Sequence, residues 1–235
     1  MFLDIKILDE ELTIDQVLKK RKLILNIKNY CNEGKIVILK KIFSKKKVNN
    51  ILKNNYIYFK RLKPIVPKVY NFKLLDFFRI DKNVKKTSIK KNQIIYFYPL
   101  NLKKNVVREF LKKISTLRNM IAGLKKNYGE NINDKHIGIG TIQHYPNRGF
   151  MSEHYDPKFP QKVVVSVILE DDFLKGGLAI KLKKNFINID NYLKKGDIVI
   201  HPSNILHKVE EVSTKSKKLF AGRWRATSVL LPIQK

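Results

Sequence analysis

The chain has a single cysteine, Cys31, in 235 residues. No intramolecular disulfide can form, and a reducing, cytoplasmic setting is the simplest expectation. No apolar run approaches the roughly 20 residues that span a bilayer, so a membrane partner is not expected. Residues 1 to 19 carry Asp4, Asp9, Glu10, Glu11 and Asp15. A secretory signal would be basic and then apolar, so none is expected here. There is no internal repeat and no low-complexity tail. Acidic residues are scarce: 20 Asp and Glu stand against 49 Lys and Arg, for a net charge of +29. Taken alone, that excess points to a polyanionic partner. Yet only eight of the basic residues are Arg, the Lys are spread along the whole chain, and Asn and Ile are abundant. A genome biased toward A and T favours Lys, Asn and Ile codons together, so a compositional origin and a functional one both stand at this stage.

What is present is enough for one folded unit. The apolar fraction of 43% supports a globular core, and the length suits one large core or a core with an extension. Leu3 to Leu8 reads as a strand, and Thr13 as the N-cap of a helix carrying Ile14, Val17 and Leu18. Gly34 ends that segment. Lys35 to Phe43 is β-rich, and Ser44 caps a helix through Leu52. Pro64 and Pro67 break regular structure, and Lys82 to Lys91, basic and without apolar periodicity, reads as a loop. Ile94 to Tyr98 is a short aromatic strand. Asn105 to Leu124 is the clearest helix, with Val107, Phe110, Leu111, Ile114, Leu117 and Ile121 at helical spacing.

From His136 the period changes to two. His136 to Tyr145, Val163 to Leu169, Asp197 to His201, Leu206 to Val212 and Phe220 to Leu231 read as strands separated by turn residues, Gly176-Gly177 among them. Many short, evenly spaced strands suggest a barrel or jelly roll. The expected organisation is a single domain over 1–235, with residues 1–135 as an α/β support region and 136–232 as a β core.

Within that core, His154 and Asp156 are two residues apart. On an extended strand they project to the same face. His207, brought in by another strand, would complete two imidazoles and one carboxylate, a facial set that leaves three adjacent metal positions open. His201 and His144 are the rival imidazoles. His201 reads as packing, and His144 points opposite to Tyr145 on one strand.

The ordered set of His154-x-Asp156, His207 after 53 residues, and Arg223 and Arg225 after 16 and 18 more resembles the catalytic core of the Fe(II)/2-oxoglutarate-dependent oxygenases. The run Gly196-Asp197-Ile198-Val199-Ile200-His201-Pro202-Ser203 leading to Leu206-His207, the pair Gly176-Gly177 and the dipeptide Tyr145-Pro146 resemble further features of that family. The resemblance covers roughly residues 136 to 232. It implies a mainly β fold: a double-stranded β-helix (jelly-roll, cupin-like) core with an α/β N-terminal decoration and supporting helices. It implies Fe(II) held by His154, Asp156 and His207, with 2-oxoglutarate and O2 as co-substrates and ascorbate as reductant.

A guanidinium suits the distal carboxylate of 2-oxoglutarate better than an ammonium. Arg225-Ala226-Thr227 resembles the Arg-x-Ser pair of part of the family, which favours Arg225 with Thr227 as cofactor contacts. Arg223 is left for a substrate carboxylate or a structural ion pair. Tyr145 can donate to a carboxylate or serve as a core residue. Halogenating relatives lack the carboxylate ligand, so Asp156 favours hydroxylation or oxidative demethylation. The substrate reading favoured here is a small molecule such as an amino acid or metabolite. The same chemistry on a nucleic-acid base or protein side chain, motivated by the charge, is the alternative. A non-catalytic, cupin-like metal-binding protein is a third.

Overall fold

The computed structural model describes residues 4–62, 76–85, 89–97, 105–157 and 159–233. Pro64, Pro67, Tyr98 and the centre of the Lys82–Lys91 stretch lie outside these residues. The described chain runs β1 (Ile5–Leu8), α1 (Ile14–Lys19), α2 (Arg21–Asn32), β2 (Ile36–Leu39), α3 (Lys45–Phe59), β3 (Phe77–Lys85), β4 (Ile89–Phe97) and α4 (Val106–Ala122). It continues with β5 (His136–Tyr145), β6 (Phe150–His154), β7 (Val163–Asp172), β8 (Lys175–Leu182), β9 (Asn185–Asn188), β10 (Ile198–Pro202), β11 (His207–Ser213) and β12 (Gly222–Pro232).

The strands form one path, β1-β2-β10-β7-β12-β5-β4-β6-β11-β8-β9, with β3 paired to β4. Among the described residues, only β1 and β2 pair in parallel; the remaining ladders are antiparallel. The path folds over itself, because Ile36, Ile38, Ile168 and Val199 of the first half pack with Leu178, Ile180 and Leu193 of the second. This is the jelly-roll arrangement, and the N-terminal strands β1 and β2 extend its first sheet.

The outer face of that sheet is covered by the helices. Val17, Ile27, Val48, Ile51, Ile114 and Leu117 bury against Val165, Val167, Ile198, Ile200 and Ala226. Strand alternation then fixes what faces inward. On β10, Ile198 and Ile200 meet the helices, so Val199 and His201 face the interior. On β12, Trp224 and Ala226 lie on the helix side, so Arg223, Arg225 and Thr227 face the interior. Their register partners on β5, Tyr145, Gln143 and Thr141, face the same way.

The helices start where the sequence supplies caps. Thr13 accepts from the Gln16 backbone N–H in a capping box, Ser44 from that of Lys47, and Asn105 from that of Arg108. Gly123, at φ +75°, closes α4 in the left-handed conformation that glycine adopts without strain.

Several expectations are corrected. The first helix is two helices, divided at Lys20. α3 continues to Phe59 instead of stopping at Leu52. The described parts of Lys82–Lys91 are strand, in β3 and β4, and not loop. Ladder pairing there comes from the backbone, and charged residues at successive positions hide the period of two. Strands β8 and β9 were not expected as strands, and β6, the strand expected to carry both His154 and Asp156, ends at His154. Gly176-Gly177 is not a turn between strands but lies within β8.

Asp197 anchors this layer. Its buried carboxylate accepts from Lys40 Nζ (2.5 Å), Lys41 N (2.8 Å) and Lys194 N (2.8 Å), tying the end of β2 to the start of β10. On the helix side, α4 lies against β5 at Gly140. A Cβ built there would meet Leu111 Cβ at 2.9 Å and Cγ at 3.1 Å. Gly140→Val is therefore expected to cost about 1–3 kcal/mol by overpacking, read as a lower urea midpoint; an unchanged midpoint would show that α4 can move off the sheet freely.

Candidate metal centre

Three side chains converge where β6 ends and β11 begins. His207 stands opposite His154 in the β6–β11 register, and their rings are 4.3 Å apart between centroids. Asp156 lies two residues beyond the last residue of β6, so it does not share a strand face with His154 as the two-residue spacing suggested. Its place is set instead by its backbone N–H, which donates to the Ser203 carbonyl (3.0 Å). The Asp156 Oδ2 is 3.5 Å from His207 Nε2. Among the described residues, His154, Asp156 and His207 bring together ligand atoms that all lie within 4.8 Å of one another.

Both imidazoles are held in one orientation. His154 Nδ1 lies 2.8 Å from the Ser152 carbonyl, and His207 Nδ1 lies 3.0 Å from the Ile205 carbonyl. Each Nδ1 is thus the protonated donor and each Nε2 carries the lone pair, the tautomer a metal-bound histidine needs. Burial pushes His207 down to about 2, and the nearby His201 and His154 add to this. At neutral pH His207 is therefore uncharged, and its contact with Asp156 is no ion pair. An imidazole lone pair and a carboxylate oxygen face each other with no proton between them. A cation placed between them converts that repulsion into two ligand bonds, and a borderline metal such as Fe(II) fits this N/N/O set.

The other sequence-selected residues separate into two groups. Arg223 is fully buried and neutralised: its Nε and Nη2 donate to the Asp190 carboxylate, so it is a structural ion pair, although its Nη1 has no hydrogen-bond partner among the described residues. Thr227 Oγ1 donates to the Val165 carbonyl at 2.8 Å, so that hydroxyl is also engaged within the sheet. Arg225 differs. Its Nε donates to Gln143 Oε1 at 2.5 Å, and Gln143 Oε1 also accepts from Tyr145 Oη at 3.3 Å. Among the described residues, Arg225 Nη1 is buried without a hydrogen-bond partner, and no carboxylate pairs with this guanidinium. Tyr145 is completely buried, beside Met151 and Val209.

Residues that sequence reasoning did not select also face this space. Thr141 and Ser166 flank Thr227 in register on the strands to either side, and both hydroxyls are buried without a partner among the described residues. The available signal was the lone polar residue in the run Val163-Val164-Val165-Ser166-Val167. His201 is also more than packing. It is fully buried, its ring is 5.0 Å from that of His207, its Nδ1 lies 2.9 Å from the Pro202 carbonyl, and its Nε2 has no partner among the described residues. His144 is removed from the site altogether. It stacks on Trp224 at 4.1 Å, and its Nε2 contacts the Ala221 carbonyl at 3.0 Å.

No family model matches the chain, and no curated protein sequence matches it. Solved structures do. The prolyl-4-hydroxylase of Pseudomonas putida aligns with a TM-score of 0.56 at 13% identity, over 90% of this chain and all of that one. A full-length Neurospora crassa protein solved in complex with alpha-KG aligns with a TM-score of 0.56 at 14% identity, over 96% of this chain and 87% of that one. An oxidoreductase of the 2OG-Fe(II) oxygenase family from Burkholderia pseudomallei aligns with a TM-score of 0.50 at 11% identity, over 88% and 90% of the two chains. The fold is therefore that of the Fe(II)/2-oxoglutarate oxygenases, mainly β with a jelly-roll core.

Burial also holds His144 and His201 down to about 4, whereas the unfolded chain titrates its histidines near 6.5. Above pH 6.5 these groups are neutral in both states. As pH falls from about 6.5 toward 4, the unfolded chain takes up protons that the folded, metal-free protein refuses, so stability falls. The urea midpoint of metal-free protein should drop steadily through that window. His144→Phe, which keeps a ring on Trp224, should drop less; equal slopes would mean that His144 titrates normally when folded.

Proposed function

We propose that this chain is a non-haem Fe(II)- and 2-oxoglutarate-dependent oxygenase that hydroxylates a C–H bond of a small molecule such as an amino acid or metabolite. In this reading residues 136–232 form the catalytic core and residues 1–135 support it. The observation that carries it is a pair: three clustered N/N/O ligand atoms, and a buried Arg225 with an unpaired donor facing the same interior.

His154, Asp156 and His207 would hold Fe(II). The metal, with 2-oxoglutarate and O2, would supply the oxidant for an otherwise unreactive C–H bond. The chain's own residues supply the rest. Arg225 would receive the distal carboxylate of 2-oxoglutarate, with the hydroxyls of Thr141 and Ser166 beside it. Gln143 fixes the guanidinium through Nε, and Tyr145 fixes Gln143. The apolar interior formed by Leu178, Ile180, Val199 and their neighbours keeps water from the reacting atoms. Charge supports the same cofactor. Arg223 is neutralised by Asp190, so Fe(II) and Arg225 against Asp156 leave two positive charges in the interior, which a dianion offsets. The same chemistry on a macromolecule is the second reading, motivated by the net charge of +29.

The test is an anaerobic titration with Fe(II) and 2-oxoglutarate, following the weak visible charge-transfer band of the chelate. Wild type should give the band. His154→Ala should lose both metal and band. Arg225→Ala should keep the metal and weaken 2-oxoglutarate binding by about tenfold or more, the scale of one lost charge-assisted contact. Arg223→Ala should act on stability instead, because it strands Asp190. No band in folded wild-type protein would reject the oxygenase reading in favour of a metal-binding protein without this activity.

A further inference from the structure

A cavity is lined in part by Pro202 and Asn204, the residues flanking Ser203, whose carbonyl positions Asp156. It is open to solvent on one side, has a volume of about 570 Å³, and is lined by Lys28, Asn32, Phe159, Lys162 and Asn204 together with the apolar Ile121 and Val163. Among the described residues, no acidic side chain lines it, and neither Lys28 nor Lys162 forms an ion pair. Lys28 comes from α2, with its ammonium at the C-terminal end of α4 near Gly123. Lys162 stands just before β7 with φ +54°, a left-handed conformation that costs a long side chain energy and persists only where its surroundings impose it. Phe159 is 75% exposed: its ring meets that of His136 edge to face, 6.0 Å between centroids, and is otherwise left in water at the rim.

This wall is joined to the metal centre through the backbone. Ser203 N–H donates to the Lys162 carbonyl (2.9 Å), and Asp156 N–H donates to the Ser203 carbonyl (3.0 Å). Cavity and carboxylate ligand thus share one short chain of hydrogen bonds.

Two cations without acidic partners attract an anion. Two carboxamides offer both donors and acceptors. An exposed ring beside them gains by being covered with a flat, apolar face. A bare inorganic anion uses only the first of these features. We propose that the cavity is a nucleotide site, with the phosphate held by Lys28 and Lys162, the polar base edge met by Asn32 and Asn204, and the base laid on Phe159. The ligand is a phosphorylated nucleoside, either free or as one residue of a single strand.

The experiment is calorimetric titration of the full-length chain at fixed ionic strength with dTMP, thymidine, inorganic phosphate and a short oligothymidylate. Wild type should bind dTMP more tightly than either thymidine or inorganic phosphate. Lys28→Gln combined with Lys162→Gln should weaken dTMP by about tenfold or more, the scale of a lost charge-assisted contact, and the corresponding double Arg variant should restore binding. Phe159→Ser should weaken dTMP while leaving inorganic phosphate unchanged. Lys183→Gln, on the β8–β9 turn, should change nothing. An oligothymidylate binding more tightly than dTMP identifies a strand as the source; equal affinity identifies the free nucleotide. The proposal is overturned if no probe binds, if inorganic phosphate binds as well as dTMP, or if Lys183→Gln costs as much as the double Gln variant.

Discussion

The pairing of β6 with β11 is the constraint on which the site depends. It sets His207 across from His154 and leaves Asp156 to be placed from outside the ladder by the Ser203 carbonyl. Both imidazoles give their Nδ1 proton to backbone carbonyls within two residues, so their orientation is written into the local chain. The cost is electrostatic. Bare imidazole nitrogens and a carboxylate are held close with no proton to share. In a fold without a ligand this is a destabilising feature, sustained by the apolar packing around it, and such strain is expected where preorganisation serves binding.

The two arginines of β12 show how one strand face carries two different roles. Arg223 and Arg225 are equivalent in strand phase, and only their partners separate them. Asp190 reaches Arg223 because Gly177, at φ +106°, has no side chain; a Cβ there would collide with the Asp190 carboxylate. The same carboxylate accepts from the Leu178 N–H at 3.1 Å. The glycine pair thus admits an acidic side chain that neutralises one guanidinium, while the other has no carboxylate partner among the described residues. A lysine at 225 could not do the same work, since its ammonium cannot be held by Gln143 through one nitrogen while presenting another.

The sequence made the jelly-roll core, the capped helices and the His154, Asp156 and His207 set legible, because these rest on local signals: period, caps and residue chemistry at fixed spacing. It did not reveal the β3–β4 pairing, where lysines at both odd and even positions in the sequence hide the period of two and the backbone ladder decides. It favoured Arg225 over Arg223 only through the resemblance of Arg225-Ala226-Thr227 to Arg-x-Ser; what separates the two in the structure is Asp190, 33 residues from Arg223 in the chain. Thr141 and Ser166 were invisible for a similar reason. A hydroxyl in an apolar strand looks like an ordinary core substitution until the register with Thr227 places it on the interior face that also carries Arg225. The spacing of His154 and Asp156 pointed to the right neighbours through a wrong local geometry: the strand ends between them, and a backbone hydrogen bond supplies the convergence.

The unpaired polar atoms of the interior are not all of one kind. Arg225 Nη1 can only donate, and the hydroxyls of Thr141 and Ser166 can donate as readily as accept. Together they suit a ligand rich in acceptors. His201 is the opposite: with its Nδ1 proton given to Pro202, its Nε2 can only accept. 2-Oxoglutarate carries carboxylate and carbonyl oxygens and no donor, so it can satisfy the first group and not His201. Under the proposed function the Nε2 of His201 is therefore left for a donor from another molecule, a water or an O–H or N–H of the substrate. An apolar side chain at this position would have been cheaper to bury, since an unsatisfied acceptor costs about 1–3 kcal/mol. The interior thus separates into an acceptor-binding half built around Arg225 and one imidazole turned toward a donor beside the metal ligands.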